Sequence, residues 1–165
     1  MSLKERINKD LNQALKNKQE LELSTLRLLN STIHNKEIEK KYRLRKEGEL
    51  NKGEIEKEGQ LSDEEIINVI FSEVKKRKEA VLEFEKGNRQ DLVDGAKREI
   101  KILQKYLPEQ LSEKEIKKIA KEIIGKTDAK TMKDMGKVMG QLMPRLKGKA
   151  DGSLVSKIVK ELLSS

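Results

Sequence analysis

Hydrophobic residues recur along the chain at intervals of three or four, which is the period of an amphipathic helix. The first such stripe has four members at four-residue spacing: Leu3, Ile7, Leu11 and Leu15. The same period predicts three further N-terminal helices, at about 20–40, 62–86 and 92–107. Their predicted core-facing residues include Leu26, Leu29, Ile33, Ile38 and Leu92. We therefore expect an all-α fold that begins with a bundle of about four helices.

A break in the helical pattern is predicted at Leu107-Pro108, because the residue before a proline avoids the α region. Three shorter helices are expected after it. The first should start at Ser112 and close at Gly125, a residue suited to a left-handed C-cap. We therefore predict an N-terminal subdomain over 1–107 and a small three-helix subdomain over 108–165.

The last two of these helices are also marked by turn and cap residues. Thr131 is expected to cap the first of the pair, and Pro144 is expected to interrupt it. The final helix should begin near Asp151 or Ser153.

Three stretches have the Ser-x-x-Glu form of a capping box, in which serine and glutamate each satisfy the other's free backbone N–H. They are Ser2–Glu5, Ser62–Glu65 and Ser112–Glu115. By contrast, the stretch from Arg43 to Gln60 is rich in Lys, Glu and Gly and poor in apolar residues. We expect it to be a mobile loop or a frayed helical extension.

Composition narrows the class of protein. Hydrophobic residues make up 35% of the 165 residues, with two Phe, two Tyr and no Trp, which predicts a thin aliphatic core. Cysteine is absent, so disulfides and thiolate chemistry are excluded. No run approaches about eighteen apolar residues, and the N-terminus lacks an apolar signal core. We expect a cytoplasmic protein that makes no contact with membranes.

The net charge of +8 is unevenly distributed along the chain. From Ser112 to Ser165 there are 13 basic and 7 acidic residues, whereas the first 111 residues carry 24 and 22. Such asymmetry favours a polyanionic partner for the C-terminal part, although a solvated lysine-rich surface is the simpler explanation of the charge by itself.

No constellation of catalytic residues is visible in the sequence. His34 is the single histidine, so pairs of histidines for zinc or for nucleophilic catalysis cannot form, and we expect it on the protein surface. Neither a phosphate-binding loop nor a dinucleotide fingerprint occurs. We predict no catalytic residue, no metal site and no cofactor.

The stretch from Asp134 to Gly152 departs from plain amphipathic patterning. Gly136 and Gly140 lie on one helix face, where each glycine costs the helix about 1 kcal/mol relative to alanine. Missing side chains permit close approach of either a neighbouring helix or a nucleic-acid backbone, and the glycines alone favour the helix.

The basic residues around these glycines point to phosphate. A tight connection holds Gly148 between two lysines and lies next to the N-terminus of the final helix, an arrangement suited to phosphate. The candidate phosphate-binding residues are Lys133, Lys137, Arg145, Lys147 and Lys149, and the candidate close-approach glycines are Gly136, Gly140 and Gly148. No aromatic residue follows Tyr106, so we expect contacts there to phosphate and shape rather than to stacked bases.

These same residues resemble the signature of the YqeY family. The resemblance is carried by Asp134-Met135-Gly136-Lys137-Val138-Met139-Gly140 and by Lys147-Gly148-Lys149-Ala150-Asp151-Gly152. It extends to Tyr106-Leu107-Pro108-Glu109-Gln110-Leu111, and to Leu26-Arg27 and Asn88-Arg89-Gln90-Asp91-Leu92 nearer the N-terminus. The C-terminal part is also similar to the tail domain of the B subunit of the glutamyl-tRNA(Gln)/aspartyl-tRNA(Asn) amidotransferase.

The resemblance implies two helical subdomains, of which the second corresponds to an amidotransferase tail that contacts the body of tRNA. It implies no catalysis, because that tail is separate from the kinase and transamidase sites. We therefore expect a stand-alone tRNA-binding accessory module. The alternatives are an accessory partner of an amidotransferase or an aminoacyl-tRNA synthetase and, least supported by the residues, a carbon–nitrogen ligase that uses glutamine as amide donor.

Overall fold

The computed structural model describes residues 1–164. It divides into two compact units, unit 1 from Met1 to Tyr106 and unit 2 from Leu107 to Ser165. Across the described residues the regular structure consists of eight α-helices and one short 3-10 helix, with no β-strand. The predicted all-α fold class is confirmed.

Unit 1 contains five helices rather than the four expected. They are α1 (Leu3–Lys16), α2 (Glu20–Glu47), α3 (Lys52–Glu58), α4 (Asp63–Lys86) and α5 (Gln90–Gln104). The capping boxes at Ser2 and Ser62 are present at the starts of α1 and α4, as predicted. Helix α5 ends at Gln104, three residues before the end that the sequence pattern indicates.

The core of unit 1 is aliphatic. Its fully buried large side chains are Ile7, Leu26, Leu29, Ile33, Ile66, Ile70 and Leu103. Three residues that the stripes placed on buried faces are instead exposed, namely Leu15, Ile38 and Leu92. Periodicity identifies the face on which a side chain lies, whereas burial also requires a neighbouring helix to extend far enough to cover it.

The stretch from Arg43 to Gln60 is more ordered than expected. Helix α2 continues to Glu47, and α3 then forms behind a fourth capping box at Asn51 and Glu54. Ile55 is buried, and Glu56 forms ion pairs with Lys41 and Arg45 of α2. The expected helical extension is confirmed from Arg43 to Glu47. The alternative of a mobile loop is wrong over α3, because one buried isoleucine and contacts to α2 order a segment whose composition is mostly polar.

A buried ionic cluster joins α4 to α5. Arg77 is 8% exposed and lies between two carboxylates, with Arg77 Nη1 2.7 Å from Glu73 Oε2 and Arg77 Nε 2.7 Å from Glu99 Oε2. Although burial by itself raises the pKa of Glu73, the hydrogen bonds from Lys76 and Arg77 hold that pKa below its ordinary value. The cluster therefore keeps its charges inside unit 1 by pairing them.

Unit 2 contains three α-helices and the 3-10 helix: α6 (Glu113–Thr127), the 3-10 helix (Met132–Asp134), α7 (Met135–Leu146) and α8 (Gly152–Ser164). The capping box at Ser112 is confirmed, and the 3-10 helix follows Thr131. Its core consists mainly of aliphatic side chains from all three α-helices, including Ile116, Ile123, Val138, Leu142, Leu146, Val155, Ile158 and Val159.

Two predicted helix ends in unit 2 are wrong. Helix α6 runs past Gly125 to Thr127, where Asp128 adopts the left-handed conformation with φ 52°. Helix α7 runs through Pro144 to Leu146. The proline lies in the last turn of α7, where loss of one backbone hydrogen bond disturbs the helix less than it would in the middle.

Candidate functional site

One exposed line along α7 lacks long side chains. Gly136, Gly140 and Pro144 follow one another at four-residue spacing, so they form one of the rows that run along a helix surface. All three are exposed. A Cβ atom added at either glycine would meet no heavy atom within 4 Å. We call these three residues the bare row.

The open space above the bare row bears on one of the two roles weighed for its glycines, the close packing of a neighbouring helix. Had Gly136 and Gly140 permitted close packing of two helices within this chain, an added Cβ would have met a neighbouring atom. None lies within 4 Å. Packing against another described helix is therefore the wrong explanation, and the glycines leave the backbone of α7 open to an approaching molecule.

Pro144 adds a hydrogen-bonding consequence to the bare row. In an α-helix the N–H of residue 144 would donate to the carbonyl of residue 140. Proline has no N–H, so the carbonyl of Gly140 loses that intrahelical donor. The exposed residue Gly140 therefore has a carbonyl without its usual helical donor.

A second row beside the bare row carries positive charge. At the same four-residue spacing it consists of Lys133, Lys137, Gln141 and Arg145, and we call it the cationic row. Lys133 lies in the 3-10 helix and the others in α7. Helix α7 is about 18 Å long at its usual rise. The cations are therefore spread along a line and are not gathered in one pocket.

Two cations of this row also make contacts within unit 2. Lys137 Nζ donates to the carbonyl of Thr127 at 3.2 Å and so binds the C-terminus of α6. Arg145 Nη1 lies 3.6 Å from Glu122 Oε1, which also accepts a hydrogen bond from Lys126 at 2.9 Å. The hydrogen bond from Lys126, aided by the charge of Arg145, lowers the pKa of Glu122. Arg145 and Lys126 share the single carboxylate of Glu122, so the net charge of this group of three residues stays positive.

The connection from α7 to α8 is fixed by hydrogen bonds from the segment that follows Pro108. Gln110 Nε2 donates to the carbonyl of Gly148 at 2.9 Å, and the N–H of Leu111 donates to the carbonyl of Lys149 at 2.8 Å. Gly148 has φ 74°, a left-handed conformation that suits glycine. The turn therefore explains why residue 148 is a glycine. It also fixes the backbone between the exposed residues Lys147 and Lys149.

The N-terminus of α8 is less available to phosphate than the sequence indicated. Asp151 Oδ1 accepts a hydrogen bond from the N–H of Ser153 at 3.0 Å. Its carboxylate therefore occupies the place where an anion would bind the helix end. The expectation that this end helps to bind phosphate is corrected, and the candidate surface is reduced to the side chains of the connection and the face of α7.

Helix α6 contributes lysines that sequence reasoning did not select. Four of them recur at helical spacing in its first nine residues: Lys114, Lys117, Lys118 and Lys121. None forms an ion pair with another residue in 1–164. The hydrogen bond between Leu111 and Lys149 places the start of α6, and hence Lys114, near the connection. Their i, i+3, i+4, i+7 spacing was the available sequence signal.

Other sequence expectations concern metals and membranes. His34 lies on α2 and is exposed, as predicted. Among the described side chains, no group of three or more His, Asp or Glu residues is placed to hold a metal ion. Over residues 1–164, no helix combines the length and the apolar character that crossing a bilayer requires.

Comparison with known proteins identifies the relatives of this chain. The model of the family described as Yqey-like protein matches residues 4–163, which is nearly the whole sequence. Three yeast proteins named "Altered inheritance of mitochondria protein 41, mitochondrial" are also similar. The protein of Lachancea thermotolerans is 34% identical over 102 residues, that of Kluyveromyces lactis 32% over 100, and that of Vanderwaltozyma polyspora 29% over 101.

The yeast matches are partial. Each covers 61% of this chain but 45% or 46% of the relative, so the aligned part is about half of each yeast protein. The names of those relatives describe them as mitochondrial. A cytoplasmic location for this chain stays a prediction.

Proposed function

This chain belongs to the Yqey-like protein family, and from that premise we propose that it is a non-catalytic accessory module that binds tRNA through the phosphate backbone. The proposed surface is the face of α7 with the connection that follows it. The contacting cations are Lys133, Lys137, Arg145, Lys147 and Lys149, and the uncovered backbone lies at Gly136 and Gly140.

The observation that carries the proposal is the bare row beside the cationic row. A glycine in the middle of a helix costs about 1 kcal/mol relative to alanine, and no contact within the described residues explains Gly140. An external molecule that approaches the backbone closely would explain it. The flanking row of Lys and Arg indicates that this molecule is anionic.

The chemistry of the surface fits RNA in particular. No aromatic side chain is present in unit 2, so stacking on bases is not available there. The carbonyl of Gly140, without its helical donor, is an acceptor that a ribose 2′-hydroxyl can satisfy. Phosphate contacts from the cations would position the RNA, and they carry no base sequence information.

The alternative is an accessory subunit or partner of a tRNA-dependent amidotransferase, or of an aminoacyl-tRNA synthetase, that acts through protein contacts. The bare row favours it too, because an uncovered line of small residues also accepts a helix from another protein. The two candidates differ in salt dependence, since release of counterions from phosphate gives a steep and predictable slope.

The test replaces Arg145, Lys147 and Lys149 together by alanine and measures tRNA affinity by fluorescence anisotropy over a series of KCl concentrations. Each lost phosphate contact should flatten the slope of log affinity against log salt by roughly 0.7 to 0.9. The triple variant should therefore lose about two to three units of slope, and affinity for different tRNAs should fall similarly. Lys137 is left in place because it also binds the C-terminus of α6.

The matched control replaces Lys75, Lys78 and Lys101 together by alanine. All three are exposed lysines of unit 1 that have no ion-pair partner among residues 1–164. It removes the same number of charges from a surface without the bare row. If both triple variants weaken binding equally, the positive field is diffuse and the proposed surface does not exist. Glutamine-dependent amide formation by the chain alone would instead show that the module is an enzyme.

A further inference from the structure

A groove in unit 1 combines an exposed aromatic ring with polar groups. It lies between α2 and α4 and has a volume of about 650 Å³. Tyr42 and Arg43 line it from α2, and Asn68, Val69 and Ser72 line it from α4. This size is within the range of roughly 300 to 1,000 Å³ that is typical of small-molecule sites.

Tyr42 is the most unusual residue of the groove. It is 66% exposed, whereas Tyr106, the other tyrosine, is 3% exposed and its hydroxyl donates to Asp10 Oδ2 at 2.8 Å. Tyr42 therefore contributes little to the core of unit 1. Its ring presents a flat apolar surface at the edge of a groove whose floor includes the nearly buried Val69.

The charges that line the groove leave one cation uncompensated. Glu39 is paired with Lys36 at 2.8 Å, and Glu65 is paired with Lys40 at 2.8 Å. Arg43 forms no ion pair with any residue in 1–164. A guanidinium next to an exposed aromatic ring can bind a phosphate while the ring stacks on a base.

Asn68 and Ser72 complete the set of groups. Both are exposed on the α4 side of the groove, four residues apart and hence on one helix face. The asparagine amide offers both a donor and an acceptor, which is the combination that the edge of a base requires. The serine hydroxyl adds a third polar group, and neither side chain has another partner in the described chain.

We propose that the groove between α2 and α4 binds a nucleotide, with the base stacked on Tyr42 and hydrogen-bonded by Asn68, and the phosphate bound by Arg43. The nucleotide is an unpaired one in an RNA strand, and this part of the inference rests on the proposed tRNA function. Unit 1 then supplies the base stacking that unit 2, without aromatic residues, lacks.

The test uses the two tyrosines as reporters, since the chain has no tryptophan. Hexa-adenylate and AMP are titrated separately at low salt while tyrosine fluorescence is followed. A stacked base should quench Tyr42 saturably, and Tyr42→Ala should abolish that quenching. Saturable quenching by hexa-adenylate alone supports a strand as the ligand, whereas equal quenching by AMP contradicts that part of the proposal and shows a site for free nucleotides.

Affinity for labelled hexa-adenylate provides the second measurement. Loss of a stacked aromatic ring weakens binding by a factor of roughly 5 to 150 per base, so Tyr42→Ala should reduce affinity by at least about fivefold. Tyr42→Phe should retain it, and Arg43→Gln should reduce its salt dependence. The control is Leu82→Ala, which truncates a side chain of α4 that is 57% exposed and lies outside the groove.

Three results overturn the inference: no saturable quenching by either probe, unchanged affinity in Tyr42→Ala, or equal weakening by Leu82→Ala. Because surface substitutions change stability little, circular dichroism should show all variants folded. The unit 2 variant that lacks Arg145, Lys147 and Lys149 is measured with the same probe. If it binds hexa-adenylate normally but binds tRNA weakly, the groove and the tRNA surface are separate, and the failure of one is distinguishable from the failure of the other.

Discussion

The open space above Gly140 makes an unusual prediction, because side chains added there should stabilise the protein and weaken its function. Gly140 is the sixth residue of α7, in the interior of a 12-residue helix. We consider the replacements Gly140→Ala and Gly140→Leu. Both alanine and leucine are good helix formers.

The expected change in the free energy of unfolding follows from the environment of Gly140. An added Cβ meets nothing within 4 Å, so no repulsion offsets the gain in helix propensity. Gly140→Ala should therefore raise the free energy of unfolding of unit 2 by about 1 kcal/mol. Gly140→Leu should raise it by a similar amount. If tRNA approaches the bare row closely, affinity should fall with side-chain size, by about tenfold for leucine, which corresponds to about 1.4 kcal/mol.

The assay combines urea unfolding, followed by circular dichroism, with fluorescence anisotropy of labelled tRNA. Gly95 provides a matched control, since it is the sixth residue of α5 in unit 1 and an added Cβ there also meets nothing within 4 Å. Gly95→Ala should stabilise the chain to the same extent and leave tRNA affinity unchanged.

Two results would refute the reasoning. A destabilised Gly140→Leu variant would show that another part of the protein packs on the bare row. Equal tRNA affinity across the glycine, alanine and leucine series would show that nothing approaches the backbone closely, and the role proposed for Gly140 would then be withdrawn.

Two further predictions concern stability. A fragment of residues 107–165 should fold alone, with low stability at this size. It must include Gln110 and Leu111, because they donate hydrogen bonds to the connection between α7 and α8. Random-coil circular dichroism of the fragment at low temperature would contradict this prediction. Because the pKa of Glu73 is held below its ordinary 4.5 in the fold, its contribution to stability is complete above about pH 4.5 and is lost as the pH falls through the lowered value. Urea unfolding from about pH 6 to about pH 3 should show this loss, Glu73→Gln should flatten it, and an unchanged slope would contradict the argument.

Local signals in the sequence determined much of the fold. The helical class follows from apolar residues at intervals of three or four, and three helix starts follow from capping boxes, because both depend on residues within one or two turns of each other. The concentration of positive charge from Ser112 onward is likewise a property of composition. These features needed no knowledge of which helix packs against which.

The candidate site was only partly available from the sequence. The spacing of Gly136 and Gly140 showed that they share a helix face, but a glycine looks the same in a sequence whether a neighbouring helix or open space lies above it. The groove of unit 1 was not visible at all, because it joins Tyr42 to Asn68, residues of different helices.

Tertiary structure therefore decided what covers each helix face. It placed nothing above the bare row and ordered α3 by burying Ile55. The physical reason is that helix formation depends on neighbours along the chain, whereas burial and exposure depend on residues brought together from distant parts of it. Residue order along the chain therefore predicted most of the helices and their charge, whereas the packing of those helices determined which surfaces remain open to a ligand.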